Sequence, residues 1–346
     1  MPFIYFFVLR QIKILDERLL IKFYTLKKVA ILAGGNSGEY EISLKTAANI
    51  KKQLDFAKFD TWLILVKGKD WVFEDESGKQ FFVDKNNFSL TVNDEQIVFD
   101  VAFIAIHGDP GENGKLQGYF EMMNIPYTGC DSFCSALTFN KYFCNKAVKN
   151  CGIKISPSLH YYKDESIDFD EVIDYCSLPC FVKPCNSGSS VGITKAHNRE
   201  ELIAAVNTAF EVDEQIMIER FVRGRELTCG VAKWKGEVKA LAVTEIISKK
   251  EYYDFEAKYT PGFLELVTPA NINLEVEEKI KNYSEIIYKK LGCKGVVRID
   301  YILNFDNEPI FLEINTIPGQ TEMSIIPKQL VYNNIPLHEF YASLVS

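Results

Sequence analysis

The chain has 346 residues, 47% of them hydrophobic and 25% charged, with a formal net charge of −8, which gives room for two or three domains in an ordinary soluble globular protein. The acidic balance and the lack of basic runs argue against nucleic acid or an anionic membrane as partner. Nine scattered cysteines, an odd number without a C-x-x-C pair, point to reduced thiols acting as small core residues in a cytoplasmic protein, and away from a disulfide framework or a zinc site.

Residues 1–27 open on the apolar PFIYFFVL, too short to span a bilayer, and read as an N-terminal extension, helical or disordered. From Lys28, KVAILA, GGNSGEYE and ISLKTAANIKKQL read as strand, glycine turn and helix, with Ile42, Leu44, Ala47, Ile50 and Leu54 at helical spacing. DTWLILV and FDVAFIAIHG add a second and a third strand. Such βαβ units predict a parallel sheet that binds ligands beyond the carboxyl ends of its strands, where Gly34, Gly35, Glu39 and His107 fall. The glycine pair does not fit the dinucleotide pattern G-x-G-x-x-G. Glu39 can complement a helix dipole or bind a substrate ammonium group, and His107 is either a satisfied buried imidazole or part of a site.

HGDPGENGKLQGYFEMM is a glycine-rich loop running into a helix, and IPYTG returns as a short strand. SFCSALTFNKYFCNKAVKNCGIKISP then reads as a helical pair, its second helix beginning near Lys141 and stopping at Gly152. LPCFVKPCNSGSSVGITKA places Lys183 on a strand before a Gly/Ser loop whose backbone N–H groups suit phosphate. Residues 188–192 also match the serine-hydrolase pattern G-x-S-x-G. That elbow needs a helix directly after the turn, and here ITKA continues as strand. QIMIERFVRGRELTCGVA gives a strand ending in Glu219 and another opened by Glu226, two carboxylates able to accept from adenine or ribose or to pair across strands. GEVKALAVTEIIS is a strand, KKEYYDFEAKYTPGFLELVTPA a long loop able to cover a site, and EVEEKIKNYSEIIYKKLGC a helix.

GVVRIDYILNFDNEPIFLEINTIPG, residues 295–319, alternates as a β-hairpin around Asp306-Asn307. With those two residues as the loop, Asp300 faces Glu313 and Arg298 faces Asn315, all on one side. Val297, Ile299, Tyr301 and Leu303 meet Ile310, Leu312 and Ile314 on the other. Opposed carboxylates repel unless a cation lies between them. Two carboxylates and the Asn315 carbonyl form a hard-oxygen set suited to Mg²⁺, with Arg298 beside it for an anion. The plainer reading is a solvated face with an arginine cross-strand pair.

The motifs GGNSGEYEIS, HGDPGENGKLQG, PYTG, ALTFNK, VKPCNSGSSVG, YDFEAKY, GCKGVVRID and LEINTIPGQTEMS, in this order, resemble the ATP-grasp superfamily and within it the D-alanine:D-alanine ligase family, over residues 28–346. The resemblance implies an α/β fold, α+β in its ATP-grasp part: an N-terminal parallel-sheet βαβ substrate domain (28–129), a central lobe (130–219) and a C-terminal lobe with the metal site (220–346). It implies ATP-dependent joining of two D-alanines through an acyl phosphate for peptidoglycan precursors, with no nucleic-acid or membrane partner and a homodimer as one option. Lys141, Lys183, Ser187, Gly188 and Ser190 would hold the phosphates, and Glu219 and Glu226 the adenine and ribose. Asp300, Glu313 and Asn315 would bind two Mg²⁺ or Mn²⁺ ions. Glu39, with Ser189 and Tyr259, would bind the first D-alanine, beside His107. Arg298 and Gly319 would stabilise the oxyanion, Ser324 would hold the second carboxylate, and Lys258 would lie beside the transferred phosphoryl group. The chain departs from the common pattern at Asn113, Arg220 and Gln320. Tyr259, where depsipeptide-forming ligases tend to carry His, favours a dipeptide over a D-lactate product. A different second substrate (D-Ser or D-lactate), another ATP-grasp substrate pair, and a nucleotide-binding regulator without catalysis are the alternatives.

Overall fold

The computed structural model describes residues 26–57, 59–248 and 264–346. Three sheets carry the chain, and each confines its own part of the core.

The first sheet starts as expected: β1 (Lys28–Gly34), helix α1 (Tyr40–Phe56) and β2 (Asp60–Lys67) form a βαβ unit, and β1 also pairs in parallel with β7 (Val101–Ile104). The sheet is nevertheless mixed. Residues 70–98 add β3 (Asp70–Glu74), β4 (Gln80–Asp84), β5 (Ser89–Val92) and β6 (Glu95–Val98), an antiparallel run that extends it to the order β6-β5-β4-β3-β2-β1-β7. Short turn-bounded strands such as these pair with sequence neighbours, so they add width without needing a crossover helix. Helix α2 (Lys115–Met123) covers one face, where Leu116 and Phe120 join Trp71, Phe88 and Leu90.

Helices α3 (Ser132–Phe139) and α4 (Lys141–Asn150) are the expected pair, each started by a side-chain cap: Asp131 accepts from the Cys134 N–H and Asn140 from the Phe143 N–H. A four-stranded antiparallel sheet follows, β10-β9-β11-β8, from β8 (Ser158–Tyr162), β9 (Cys180–Pro184), β10 (Thr194–Ala196) and β11 (Gln215–Arg220). Helices α5 (Phe169–Cys176) and α6 (Arg199–Val212) cover it. Because β10 lies between the Gly/Ser loop and α6, residues 188–192 are not a strand–turn–helix elbow.

The third sheet has the order β14-β13-β12-β15-β16: β12 (Gly224–Trp234), β13 (Glu237–Ser248), β14 (Leu264–Val267), β15 (Val296–Asn304) and β16 (Pro309–Asn315). Residues 249–263 of the expected covering loop lie outside the described residues, and Leu264–Val267 of that stretch are strand. Helix α7 (Leu274–Lys290), capped by Asn273, packs on one face together with Cys134, Cys144 and Val148. Helices α8 (Ile325–Tyr332) and α9 (Leu337–Val345) tie this sheet to the first, because Ile326, Leu330, Phe340 and Tyr341 share a core with Val29, Ile31 and Ala47.

The hairpin β15–β16 differs from expectation at two places whose effects cancel. Leu303 pairs with Pro309, the Asn304 N–H donates to Glu308 O, and Asn307 has φ +56°, so three residues (305–307) form the turn instead of two. The register then shifts between Asp300 and Tyr301, with Leu312 the extra residue on β16, and Asp300↔Glu313 and Arg298↔Asn315 are restored as pairs. The one-residue offset in the outer half swaps the faces there. Phe311 therefore enters the core against Tyr301 in place of Ile310, while Leu312 turns to the cleft.

Candidate active site

A cleft of about 320 Å³ opens where the three sheets meet. Six segments line it: the start of α1 with Glu39 and Ile42, the loop after β7 with His107 and Glu112, the α3–α4 junction with Lys141 and Asn145, the Ser187–Ser190 loop, β14 with Leu264 and Leu266, and β15–β16 running on to Ser324.

The loop bearing Glu39 is drawn over the β7 loop by Gly35. At φ +98°, with a Cβ that would lie 2.5 Å from Ile106 Cγ2, that position accepts only glycine. Ser43 fixes the helix behind it, accepting from the Gly34 N–H (2.8 Å) and donating to Ala105 O (2.8 Å). Glu39 is the residue just before α1, not in its first turn, and makes no side-chain cap bond. Glu39 lines the cleft together with Gly188, where an added Cβ would lie 3.9 Å from Glu39 Oε2, in ordinary contact.

His107 lies three residues beyond β7 and holds two lobes together. Its Nδ1 is 2.8 Å from Ile317 O and its Nε2 3.1 Å from Thr46 Oγ1, and burial lowers its pKa. With both nitrogens engaged, this histidine positions the 317–320 backbone. Asn49 assists, donating to Gln320 O at 2.7 Å.

Glu112, not singled out in the sequence, closes the same junction. Its two oxygens accept from the Gly108 N–H (2.8 Å) and the Ile317 N–H (3.2 Å). Desolvation and the nearby Glu39 charge push its carboxyl up from 4.5 to about 7. The folded chain thus binds the Glu112 proton more tightly than the unfolded chain, so the stability it contributes is present below pH 4.5 and is lost as pH rises through about 7. Glu112→Gln gives up one backbone N–H partner at every pH but removes this titration. The melting-temperature difference between wild type and variant is expected to shrink across that window and to be flat above it; a difference independent of pH between 4 and 8 would refute the assignment.

On the other wall, Lys141 opens α4 and its Nζ donates to Ser187 O. One turn on, Asn145, also missed although it stands at i+4 from Lys141, lines the cleft and donates to Glu219 (3.3 Å). Glu219 and Lys183 form a buried ion pair at 2.5 Å on adjacent strands β11 and β9. Neither lines the cleft directly. Ser189 and Ser190 sit at φ +54° and +59°, a strained pair of non-glycine residues. Ser189 Oγ is buried without a hydrogen-bond partner among the described residues, an orphaned donor at the cleft wall.

The hairpin supplies the rest. Asp300 is 2% exposed, and its carboxylate accepts from Arg298 Nη2 (2.8 Å) and Nε (3.0 Å), Thr228 Oγ1 (2.5 Å) and Asn315 Nδ2 (3.3 Å). Glu313 and Asn315 line the cleft opposite it on β16, and Glu226 shares the Thr228 face of β12. Gly319 packs against Ser324, whose Oγ accepts from the Thr321 N–H (3.0 Å). Tyr259 and Lys258 lie outside the described residues. Of the departures from the common pattern, Asn113 donates to Asp109 (2.5 Å) and Arg220 to the carbonyls of Tyr175 and Cys176. Neither touches Asp300, Glu313 or Asn315.

The donor set fits a hard divalent cation. Two opposed carboxylates and a carbonyl oxygen share one sheet face, and Glu39 and Glu112 crowd the cleft enough to raise a carboxyl pKa by charge repulsion as well as burial. No helix of the described residues is long and apolar enough to cross a membrane.

Residues 28–130 match the family model of the D-ala D-ala ligase N-terminus and residues 148–346 that of its C-terminus. The D-alanine–D-alanine ligase of Parabacteroides distasonis is 44% identical over 304 residues, 88% of this chain and 92% of that protein. Among solved structures, D-alanyl-alanine synthetase A of Vibrio cholerae superposes with a TM-score of 0.84 at 29% identity (93% of this chain, 98% of that one). VanG D-Ala:D-Ser ligase of Enterococcus faecalis does so with 0.83 at 32% identity (92% and 98%).

Proposed function

The chain belongs to the D-ala D-ala ligase family, and from that membership we propose how its cleft carries out the family's reaction. The protein is an ATP-dependent ligase that forms D-alanyl-D-alanine for peptidoglycan synthesis and uses a divalent metal. We place it in the cytoplasm.

Lys141 and Lys183 take the ATP phosphates, with Ser187, Gly188 and Ser190 closing over them, and Glu219 and Glu226 take adenine and ribose. Lys183 and Glu219 pair with each other at 2.5 Å, so two buried charges are mutually neutralised beside the phosphate-binding loop. Asp300, Glu313 and Asn315 would hold two Mg²⁺ or Mn²⁺ ions, which would supply neutralisation of the phosphate charge. Glu39 receives the ammonium of the first D-alanine, and the orphaned Ser189 hydroxyl gains its missing partner there. The first carboxylate attacks the γ-phosphate, giving an acyl phosphate and ADP. The second amine then attacks the acyl carbon and phosphate leaves. Arg298 and the Gly319 N–H face the oxyanion. Ser324 holds the second carboxylate, and the roles of Tyr259 and Lys258 stay those that the family resemblance implies.

The observation that carries this reading is the Asp300–Glu313 register beside Arg298 at a cleft that Glu39 also faces. ADP release measured across D- and L-amino acids tests it. D-alanine with Mg²⁺ is expected to drive turnover alone. The likeness to a D-Ala:D-Ser ligase makes D-serine the informative competitor: turnover that requires D-serine as second substrate would replace the D-alanyl-D-alanine assignment, and inert D-alanine would overturn it.

A further inference from the structure

Three cysteines far apart in sequence meet in the core at the junction of α3 and β15. The Sγ atoms of Cys130, Cys134 and Cys293 all lie within 4.8 Å of one another, with Cys134 Sγ 3.7 Å from Cys293 Sγ, and the residues are 1%, 1% and 7% exposed. Cys130 and Cys134 bracket the start of α3, and Cys293 lies in the turn between α7 and β15. Gly129 and Gly295 touch beside them, since a Cβ on Gly295 would be 3.0 Å from Gly129 Cα. The Lys294 backbone N–H donates to Cys130 Sγ at 3.4 Å, the kind of second contact that steadies a thiolate ligand.

We propose that Cys130, Cys134 and Cys293 form a structural site for a thiophilic d¹⁰ cation, Zn²⁺ in the first instance, separate from the Mg²⁺ cleft. Three observations support it. The C-x₃-C spacing of the first two is that of structural zinc ligands. Sulfurs bound at about 2.3 Å in a tetrahedron stand about 3.8 Å apart, close to the Cys134–Cys293 separation, so the third needs only a small approach. The donor set is wholly sulfur, which selects zinc-like ions against the magnesium that oxygen donors favour. A disulfide would require sulfurs about 2.05 Å apart, well inside the observed contact. On binding, each Sγ–H gives its proton to solvent and a Zn–S bond replaces it, leaving the fourth position to a water. The ion would join points 159 residues apart, fixing the start of β15, which carries Arg298 and Asp300, against the helices that lead to Lys141.

The test uses the full chain, purified under reducing conditions without chelator and freed of loose metal. Elemental analysis is expected to give about one zinc per chain for wild type and for Cys151→Ser, outside the cluster, and less than about a tenth of that for Cys134→Ser and Cys293→Ser. Cd²⁺ added to metal-free wild type should produce thiolate charge-transfer absorption that saturates at about one equivalent. A wild-type chain with neither zinc nor saturable Cd²⁺ absorption overturns the proposal even if the variants fail to fold. So does a wild-type mass lower by two hydrogens, or a Cys134→Ser chain that retains the full signal.

Discussion

Glu313→Ala is expected to leave the fold intact and to lower D-alanine-dependent ADP release by more than the ~10–100-fold that losing an outer partner of a metal costs. The fold survives because β16 is the edge strand of its sheet and Glu313 is only partly buried. Turnover falls because the trio of oxygen donors becomes a pair with a single carboxylate, Asp300, already shared with Arg298, Thr228 and Asn315. The Mg²⁺ concentration for half-maximal ADP release should rise in parallel, and thermal melting should be unchanged. Near-normal turnover at limiting Mg²⁺ would remove Glu313 from the metal site.

Arg298→Ala should damage stability and catalysis together, by separable routes. Asp300 is almost wholly buried, and the guanidinium is its cationic partner at 2.8 Å. Removing one member of such a pair costs roughly 3–5 kcal/mol, read from urea denaturation. Loss of an oxyanion donor lowers turnover by roughly 10²–10³-fold. Arg298→Ala combined with Asp300→Ala removes the orphaned charge and should recover part of the stability while turnover stays low. Loss of stability without loss of turnover in Arg298→Ala would make Arg298 a structural partner only and take it out of the oxyanion site.

The hairpin shows how a site can be legible when its frame is not. Alternation of apolar and polar residues put Arg298, Asp300, Glu313 and Asn315 on one face, and they are there. The turn expected at Asp306-Asn307 is one residue longer, and a bulge at Leu312 restores the pairing before it reaches Asp300. Sequence periodicity constrains which residues can share a face. Where a bulge falls depends on the sheet's packing, which decides whether Phe311 or Ile310 fills the space beside Tyr301. Glu112 was within view in HGDPGENG, one position before Asn113, but a carboxylate in a polar loop looks solvated until the Ile317 N–H arrives from 205 residues away.

The sequence by itself determined the local grammar: the βαβ start, the capped helices α3 and α4, the strand after the Gly/Ser loop, and the motif order that marks the family. These follow from neighbours in the chain, where dihedral preference, capping and alternation act. The tertiary structure alone decided that His107 and Glu112 clamp the 317–320 backbone, that Lys183 and Glu219 neutralise each other, that the first sheet is widened by β3–β6, and that three thiols share one pocket of core. Each of these depends on contacts between distant segments, and their energies reside in burial and charge, which a linear string does not specify until the sheets are packed.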